Sequence, residues 1–350
     1  MIKYIGSKRL LVPRIVDIAR GLPRTRSAID LFSGTARVGH ALKEAGFRVH
    51  SNDLATYAAT LARCYVQANA GPLEKEALAW IERLNALPGE PGYITETFCI
   101  QSRYFRPENG ARIDAMRQAI AQADLDEELE AVLLTSLIEA ADRVDSTTGV
   151  QMAYLKQWAR RAYRPIELRL PTLLRQPRAG KCSAHQLDAQ QAAQTLSADI
   201  AYLDPPYNQH KYLNNYHVWE TIVRGDTPEH YGVACKRVDC KDQRSPFNSR
   251  RTILPAFSEI IENIDARYLV VSFNNEGFIT PEEMVELLAV RGQVWREELD
   301  YPRYIGAQIG IHNHKGQRVG EVSHLTNKEN LFVVQPKGSR HRPKGMTREI

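Results

Sequence analysis

The sequence contains no apolar run approaching the roughly 20 residues that a bilayer crossing needs. Its first 20 residues carry charges throughout and lack a signal-peptide core, so a cytoplasmic protein without a membrane partner is expected. Cysteine is scarce. The five present (Cys64, Cys99, Cys182, Cys235, Cys240) are an odd number with no Cys-x-x-Cys pair, which argues for reduced, structural thiols rather than a disulfide framework. His230 with Cys235 and Cys240 lacks a fourth ligand, and His312-x-His314 stands alone, so no metal is expected. No Gly-Lys-Ser/Thr closes a glycine turn, which excludes a phosphate-cradling P-loop.

What is present is ordinary for a globular chain. The 350 residues are 43% apolar and 25% charged, enough for one large domain plus an insertion or a smaller second domain. The net charge of +5 suits a polyanionic partner without specifying one.

The most informative stretch is Ile200-Ala201-Tyr202-Leu203-Asp204-Pro205-Pro206-Tyr207-Asn208. Its first half reads as a short buried strand, and two prolines, with fixed φ and no N–H, must end it in a stiff turn. A carboxylate precedes that turn and a ring follows it, at the carboxyl end of a strand, where open α/β sheets place ligands. Asp204 and the carbonyl of Pro205 can each accept one N–H of an exocyclic amine, with Tyr207 as a stacking face. The alternative is a chance proline turn after a strand.

A second constellation lies upstream. Ala28-Ile29-Asp30-Leu31-Phe32-Ser33-Gly34-Thr35-Ala36-Arg37-Val38-Gly39 reads as strand, tight turn and helix, the first βα unit of a dinucleotide-type sheet. Ala36 stands where the middle glycine of such a turn would be. Phe47-Arg48-Val49-His50-Ser51-Asn52-Asp53 then reads as a second strand ending in an acid about 20 residues on, and Asp53 is placed to bind two ribose hydroxyls. With Asp30 and Phe32 near the amino-acid end, the pocket suits S-adenosylmethionine better than a nicotinamide. Ahead of it, Lys3-Tyr4-Ile5-Gly6-Ser7-Lys8-Arg9 gives a glycine–serine turn before a helix from Leu10 to Ala19. Alone, that stretch reads more readily as an ordinary basic N-terminus.

Asp-Pro-Pro-Tyr at 204–207 resembles the catalytic motif of the amino-methyltransferases. Asp in first place is the form typical of DNA adenine-N6 and cytosine-N4 enzymes. The order of N-terminal motif, βα turn, ribose acid, insertion and catalytic tetrad resembles the D12 (α-group) DNA adenine-N6 methyltransferases over nearly the whole chain. The resemblance implies a cofactor set of Tyr4, Lys8, Asp30, Phe32, Gly34 and Asp53, with Lys8 beside the methionine moiety. Asp188, after a short strand near 181–189, becomes the candidate for the cofactor's adenine amino group. Asp204, Pro205, Pro206 and Tyr207 become the catalytic corner, and the target base must be flipped out of duplex DNA to reach it. His217, in a loop-to-helix stretch from Lys211 to Glu220, reads as a positioning residue rather than a general base.

From Gly71 to Lys181 the βα rhythm gives way to helices over Glu74–Asn85, Ile113–Ala123 and Leu125–Val144. Between Val150 and Lys181 eight Lys and Arg residues face one acid, Glu167, with Tyr154, Trp158 and Tyr163 interleaved. That mixture suits phosphate contacts and stacking, against the alternative of a solvated face. Lys156, Arg160, Arg161 and Arg164 are therefore candidate DNA contacts, and Arg303 in Tyr301-Pro302-Arg303-Tyr304 joins them through the resemblance. Cys235 to Arg251 reads as a mobile loop near DNA, Ile305–Gly320 as a hairpin, Glu329–Val334 as the last strand and 336–350 as a flexible basic tail.

The expected architecture is α/β: a Rossmann-like methyltransferase sheet with a mainly helical inserted target-recognition domain. It divides into a cofactor-binding region 1–70, an insertion 71–181, a catalytic region 182–335 and the tail 336–350. The expected activity is methyl transfer from S-adenosylmethionine to adenine N6 in double-stranded DNA by a monomer, as a solitary methylase or beside a cognate restriction endonuclease. Cytosine N4, an RNA adenine or a protein glutamine are alternative acceptors, and a catalytically silent nucleic-acid-binding protein is the non-enzyme alternative.

Overall fold

The computed structural model describes the chain except residues 208, 210, 243, 303–310, 313–317 and 321–325. The strands in chain order are β1 (Ser27–Asp30), β2 (Arg48–Asn52), β3 (Ser183–His185), β4 (Ser197–Leu203), β5 (His230–Tyr231), β6 (Lys236–Arg237), β7 (Asp265–Asn274), β8 (Gln293–Pro302), β9 (Ile311–His312), β10 (Arg318–Gly320), β11 (Thr326–Gln335) and β12 (Thr347–Arg348). Eight of them form one sheet in the order β12-β8-β11-β7-β4-β1-β2-β3. Strands β3, β2, β1, β4 and β7 are parallel, and β11 runs antiparallel between β7 and β8. The fold is the Rossmann-like α/β sheet that the sequence leads one to expect.

Helices cover both faces, so the central strands are apolar without alternation and their side chains sort by the period-two pleat. Ile200 and Tyr202 of β4 join one core with the helices Val12–Gly21, Thr56–Ala62 and Glu127–Val144. Ala201 and Leu203 join the opposite core with Ile253–Asn263 and Pro281–Ala289. The long connection from β2 to β3 contributes Ile81, Leu84, Ile113, Met116, Leu133 and Leu137 to the first of these cores. Its helices pack on one another and on the helical stretches 56–67 and Tyr212–Arg224, sharing one continuous core with that face of the sheet.

The helix Arg37–Glu44 lies close against β1 and β2, and one residue permits it. A Cβ at Gly39 would stand 2.5 Å from Ser51 Oγ and 3.0 Å from Asp30 Oδ2. Ala36, at φ 58° and fully buried, holds the left-handed turn ahead of the helix despite its Cβ. Such a conformation costs a non-glycine residue about 1–2 kcal/mol, offset here by burial of the methyl group.

Two stretches differ from expectation. The tail is not loose: β12 pairs antiparallel with β8, the N–H of Val294 donates to the carbonyl of Ile350 at 3.1 Å, and Met346 is buried. Backbone pairing covers the sheet's outer edge and leaves no periodicity in the side chains, so composition alone reads the segment as disordered. Nor is the basic stretch after Cys235 an open loop. The Arg237 guanidinium is buried and forks onto Asp226 at 2.6 and 2.8 Å, with Asp239 at 2.7 Å. Pairing of β5 with β6 fixes the same segment.

The helix Tyr212–Arg224 departs from helical geometry at Tyr216 (φ −135°, ψ 26°). Beyond that kink His217 is fully buried, its Nε2–H donating to the Gln151 carbonyl at 2.9 Å while Nδ1 has no hydrogen-bond partner among the described residues. Burial pushes its pKa down to about 3, against the pull of that carbonyl. It is therefore a neutral strut at physiological pH.

Gly39→Ala should lower stability by about 1–3 kcal/mol through overpacking, seen as a lower thermal midpoint. Gly21→Ala, where an added Cβ meets nothing within 4 Å, should leave the midpoint nearly unchanged. His217 has a folded pKa below its unfolded 6.5, so its stabilisation is complete above 6.5 and drains away as pH falls toward 3. Between pH 7 and 4.5 the parent protein should lose roughly 2–3 kcal/mol more than His217→Gln, measured by urea unfolding at each pH; equal losses would refute the assignment.

Candidate active site

Strands β1 and β4 are neighbours whose chains continue to opposite sides of the sheet, and the crevice at their carboxyl ends is where open α/β sheets bind ligands. A cavity of about 250 Å³ opens there, with Tyr4, Lys8, Asp30, Asp53, Asp204 and Tyr212 among its walls. Phe32, Gly34, Asp188 and Pro206 border the same space. Residues from the first 57 positions and from 187–248 therefore meet in one pocket.

The acidic corner forms as the prolines dictate. Strand β4 ends at Leu203, Pro205 is buried, and the Asp204 carboxylate, 17% exposed, borders the cavity. Lys8 Nζ lies 3.2 Å from Asp204 Oδ1 and 2.6 Å from Glu329 Oε1, with the Lys8 side chain only 6% exposed. Glu329, on β11, also accepts from Ser272 Oγ at 2.6 Å and Asn274 Nδ2 at 3.4 Å, both on β7. Burial pushes the Asp204 carboxyl up to about 7, with Lys8 pulling it down and Glu329 pushing it further up. For Lys8, burial alone would lower the pKa, but Asp204 and Glu329 reverse this and hold it well above the usual lysine range.

Glu329 was not legible as a site residue. The only signal is a glutamate opening the otherwise apolar run Glu329–Val334, and a strand-initial acid is ordinarily solvated. Tyr207 sits beside the corner: its ring lies 5.4 Å from that of Phe273, tilted by 56°, and 5.6 Å from Lys8 Nζ.

The opposite wall carries the remaining acids. Asp30 Oδ2 accepts the N–H of Gly39 at 2.9 Å, and its Oδ1 is buried without a hydrogen-bond partner among the described residues. Burial pushes that carboxyl up to about 7, against the Gly39 N–H. Asp53 bridges two turns, accepting from Gly34 N at 2.9 Å and Ala55 N at 3.0 Å, and is raised by burial against those donors. Asp188 caps the helix Ala189–Thr195 through the N–H of Gln190 at 2.9 Å. Phe32 packs edge-on to Phe247 at 5.2 Å.

Tyrosines close the pocket on the N-terminal side. The Tyr4 ring stacks between Tyr212 at 5.3 Å and Tyr216 at 4.5 Å, and its hydroxyl is 3.2 Å from that of Tyr57. Gly6 is at φ 72°, where a Cβ would meet the Tyr212 hydroxyl at 2.9 Å. That close approach is what lets Lys8 reach the corner from the N-terminal turn.

The basic candidates divide. Lys156, Arg160 and Arg164 are exposed, whereas Arg161 is half-buried, pairing with Asp145 at 2.7 Å and donating to the Thr147 carbonyl at 2.6 Å. Arg161 therefore braces the loop that carries the others. Around them Arg103 lies 4.8 Å over the Trp158 ring and Arg106 4.8 Å over the exposed Tyr163 ring. Arg303 lies outside the described residues. Among the described residues no cluster of His, Cys, Asp and Glu is arranged to hold a metal, and no helix is long and apolar enough to cross a membrane.

Comparison with known proteins gives the geometry its context. Residues 4–287 match the family of D12 class N6 adenine-specific DNA methyltransferases. The chain is 32% identical to the type II methyltransferase M.NlaIII of Neisseria lactamica, over 93% of this chain and 99% of that protein. It is 29% identical to M.CviAII of Paramecium bursaria Chlorella virus 1, over 95% and 98%. Against the modification methylase StsI of Streptococcus sanguinis it is 30% identical over 96% of this chain, which spans 52% of that longer protein. A cavity at the β1–β4 crevice, lined by Asp204 and Pro206 of the Asp-Pro-Pro-Tyr corner, and a family match over most of the length lead to one conclusion: the chain belongs to the D12 class N6 adenine-specific DNA methyltransferases.

Proposed function

We propose that Asp204, Pro205, Pro206 and Tyr207 hold the N6 amine of a flipped-out adenine in duplex DNA while a methyl group is transferred to it from S-adenosylmethionine. The observation that carries this is that the acceptor corner at Asp204 and the acid at Asp53 open into one cavity. Asp53 takes the two ribose hydroxyls and Asp188 the adenine amino group of the methyl donor. Asp30, with its unpartnered buried oxygen, suits the ammonium of the methionine moiety. Tyr4, Phe32 and Gly34 complete the cofactor walls. When bound, the donor supplies an electrophilic methyl carbon on a sulfonium.

The remaining work falls to the protein, and it is positioning rather than covalent catalysis. The Asp204 carboxylate accepts one N6–H and the Pro205 carbonyl the other, drawing the nitrogen lone pair out of conjugation with the ring. Tyr207 stacks on the base, which must leave the helix because a paired adenine cannot enter the crevice. The stiffness of Pro205–Pro206 keeps both acceptors in register without further ordering on binding. Residues 71–181 serve as the target-recognition region between the cofactor-binding region, residues 1–70, and the catalytic region, residues 182–335. Lys156, Arg160 and Arg164, with Arg303, contact the DNA, and Arg161 holds their loop. The protein acts as a monomer in the cytoplasm, in the modification role that the names of its relatives describe, either as a solitary methylase or beside a cognate restriction endonuclease.

Asp204→Ala should lower methyl transfer by roughly a thousandfold, the scale on which one preorganised polar group counts, while cofactor titration stays near the parent value. Nucleoside digestion of the product should yield N6-methyladenine and no N4-methylcytosine. Because the carboxylate is the accepting form and burial raises Asp204 to about 7, kcat/KM should fall as pH drops through about 7. A flat profile from pH 6 to 8 would contradict the role of Asp204. Replacing Lys156, Arg160 and Arg164 together by Ala should weaken duplex binding and flatten its salt dependence by about one slope unit per lost phosphate contact. An unchanged slope would remove these residues from the interface.

A further inference from the structure

Lys8 is a long cationic side chain buried at the floor of the crevice, and its ammonium is shared between two acceptors of different character. Glu329 is fixed: it sits on a central strand opposite Asn274, and its carboxylate is tied to Ser272 and Asn274 as well as to Lys8 at 2.6 Å. Asp204 is the farther acceptor at 3.2 Å and the one that faces the cavity. The ammonium also stands 5.6 Å from the centre of the Tyr207 ring. A nitrogen donor therefore already lies against the carboxylate, and near the ring, to which the methyl-transfer reading assigns the target amine.

We propose that Lys8 is a placeholder in the donor seat at Asp204, and that Glu329 is the positioning residue that retains the ammonium when the target amine takes that seat. This rests on the proposed methyl-transfer role of Asp204. The physical reason is charge compensation. A lysine buried with a single carboxylate cannot yield it to a neutral amine without being left uncompensated, which is strongly unfavourable. A second carboxylate, held rigidly on the side away from the cavity and closer to the nitrogen, lets Asp204 exchange partners while Lys8 stays paired. The three elements are brought together from positions 8, 204 and 329 by the N-terminal turn, β4 and β11.

The test is the pH dependence of duplex DNA methylation, with cofactor titration alongside, for the parent protein, Glu329→Gln, Lys8→Met and the double variant. Glu329→Gln hands the ammonium wholly to Asp204. Its acid limb should therefore move to lower pH by roughly one unit or more, and KM for DNA should rise about tenfold while cofactor affinity stays close to the parent. Lys8→Met leaves Asp204 facing Glu329 alone and should move the limb to higher pH by a similar amount. The double variant removes one charge of each sign and should bring the limb back near its original place. A Glu329→Gln protein that loses activity equally at every pH, with KM and limb unmoved, would reduce Glu329 to a structural brace and overturn the proposal. Should that variant fail to fold, an unmoved limb in Lys8→Met overturns it equally. A parent protein that binds the methyl donor but methylates no DNA would instead overturn the role of Asp204, and this inference with it.

Discussion

A single buried ammonium ties this molecule together. Lys8 meets Asp204 and Glu329 in a region from which water is largely removed, so its charge and theirs exist only because they compensate one another. The contact joins the N-terminal turn, the strand that ends in the double proline and the antiparallel strand β11 between β7 and β8. Glu329 is in turn tied to Ser272 and Asn274 on β7, so the central sheet itself anchors the charge. The corner's electrostatics thus cannot be separated from the fold.

The side of the crevice that carries Asp30 and Asp53 is organised by close approach rather than by charge. Gly39 lets the helix Arg37–Glu44 settle against β1 and β2, and the Asp30 and Asp53 carboxylates then receive backbone N–H groups from Gly39 and Gly34. Those donors let buried acids persist in the cavity wall. Ala36 shows that the turn tolerates a methyl group where a glycine would be unstrained, because the methyl is fully buried. The two halves of the site therefore rest on different physics: dense packing on one wall, shared charge on the other.

The surface carrying the basic candidates shows how composition misleads about individual residues. Arg161 and Arg237 look like any other cations in the sequence, yet both are spent on internal carboxylates, Asp145 for one and Asp226 with Asp239 for the other. Lys156, Arg160 and Arg164, a few positions away from Arg161, are exposed. A guanidinium that braces a loop and one that meets a phosphate obey the same local preferences; only the position of distant acids separates them.

Local pattern determined a good deal. The alternation of strands and helices, the turn at Gly34–Gly39, the acid at Asp53 and the stiff Asp204–Tyr207 corner are fixed by φ restriction, glycine placement and apolar periodicity, all properties of neighbouring residues. Of the helices in 71–181, Pro72–Ala86, the later part of Pro107–Gln122 and Glu127–Val144 were legible, since their period is local, whereas 93–100 was not. What the tertiary structure alone decided is what depends on residues far apart meeting. Glu329 reaching Lys8 across 321 positions, the tail closing the sheet edge as β12, and Arg161 turning inward to Asp145 are of this kind. A buried charge or an edge strand is defined by its partner, and the partner's distance along the chain leaves no periodicity for the sequence to display.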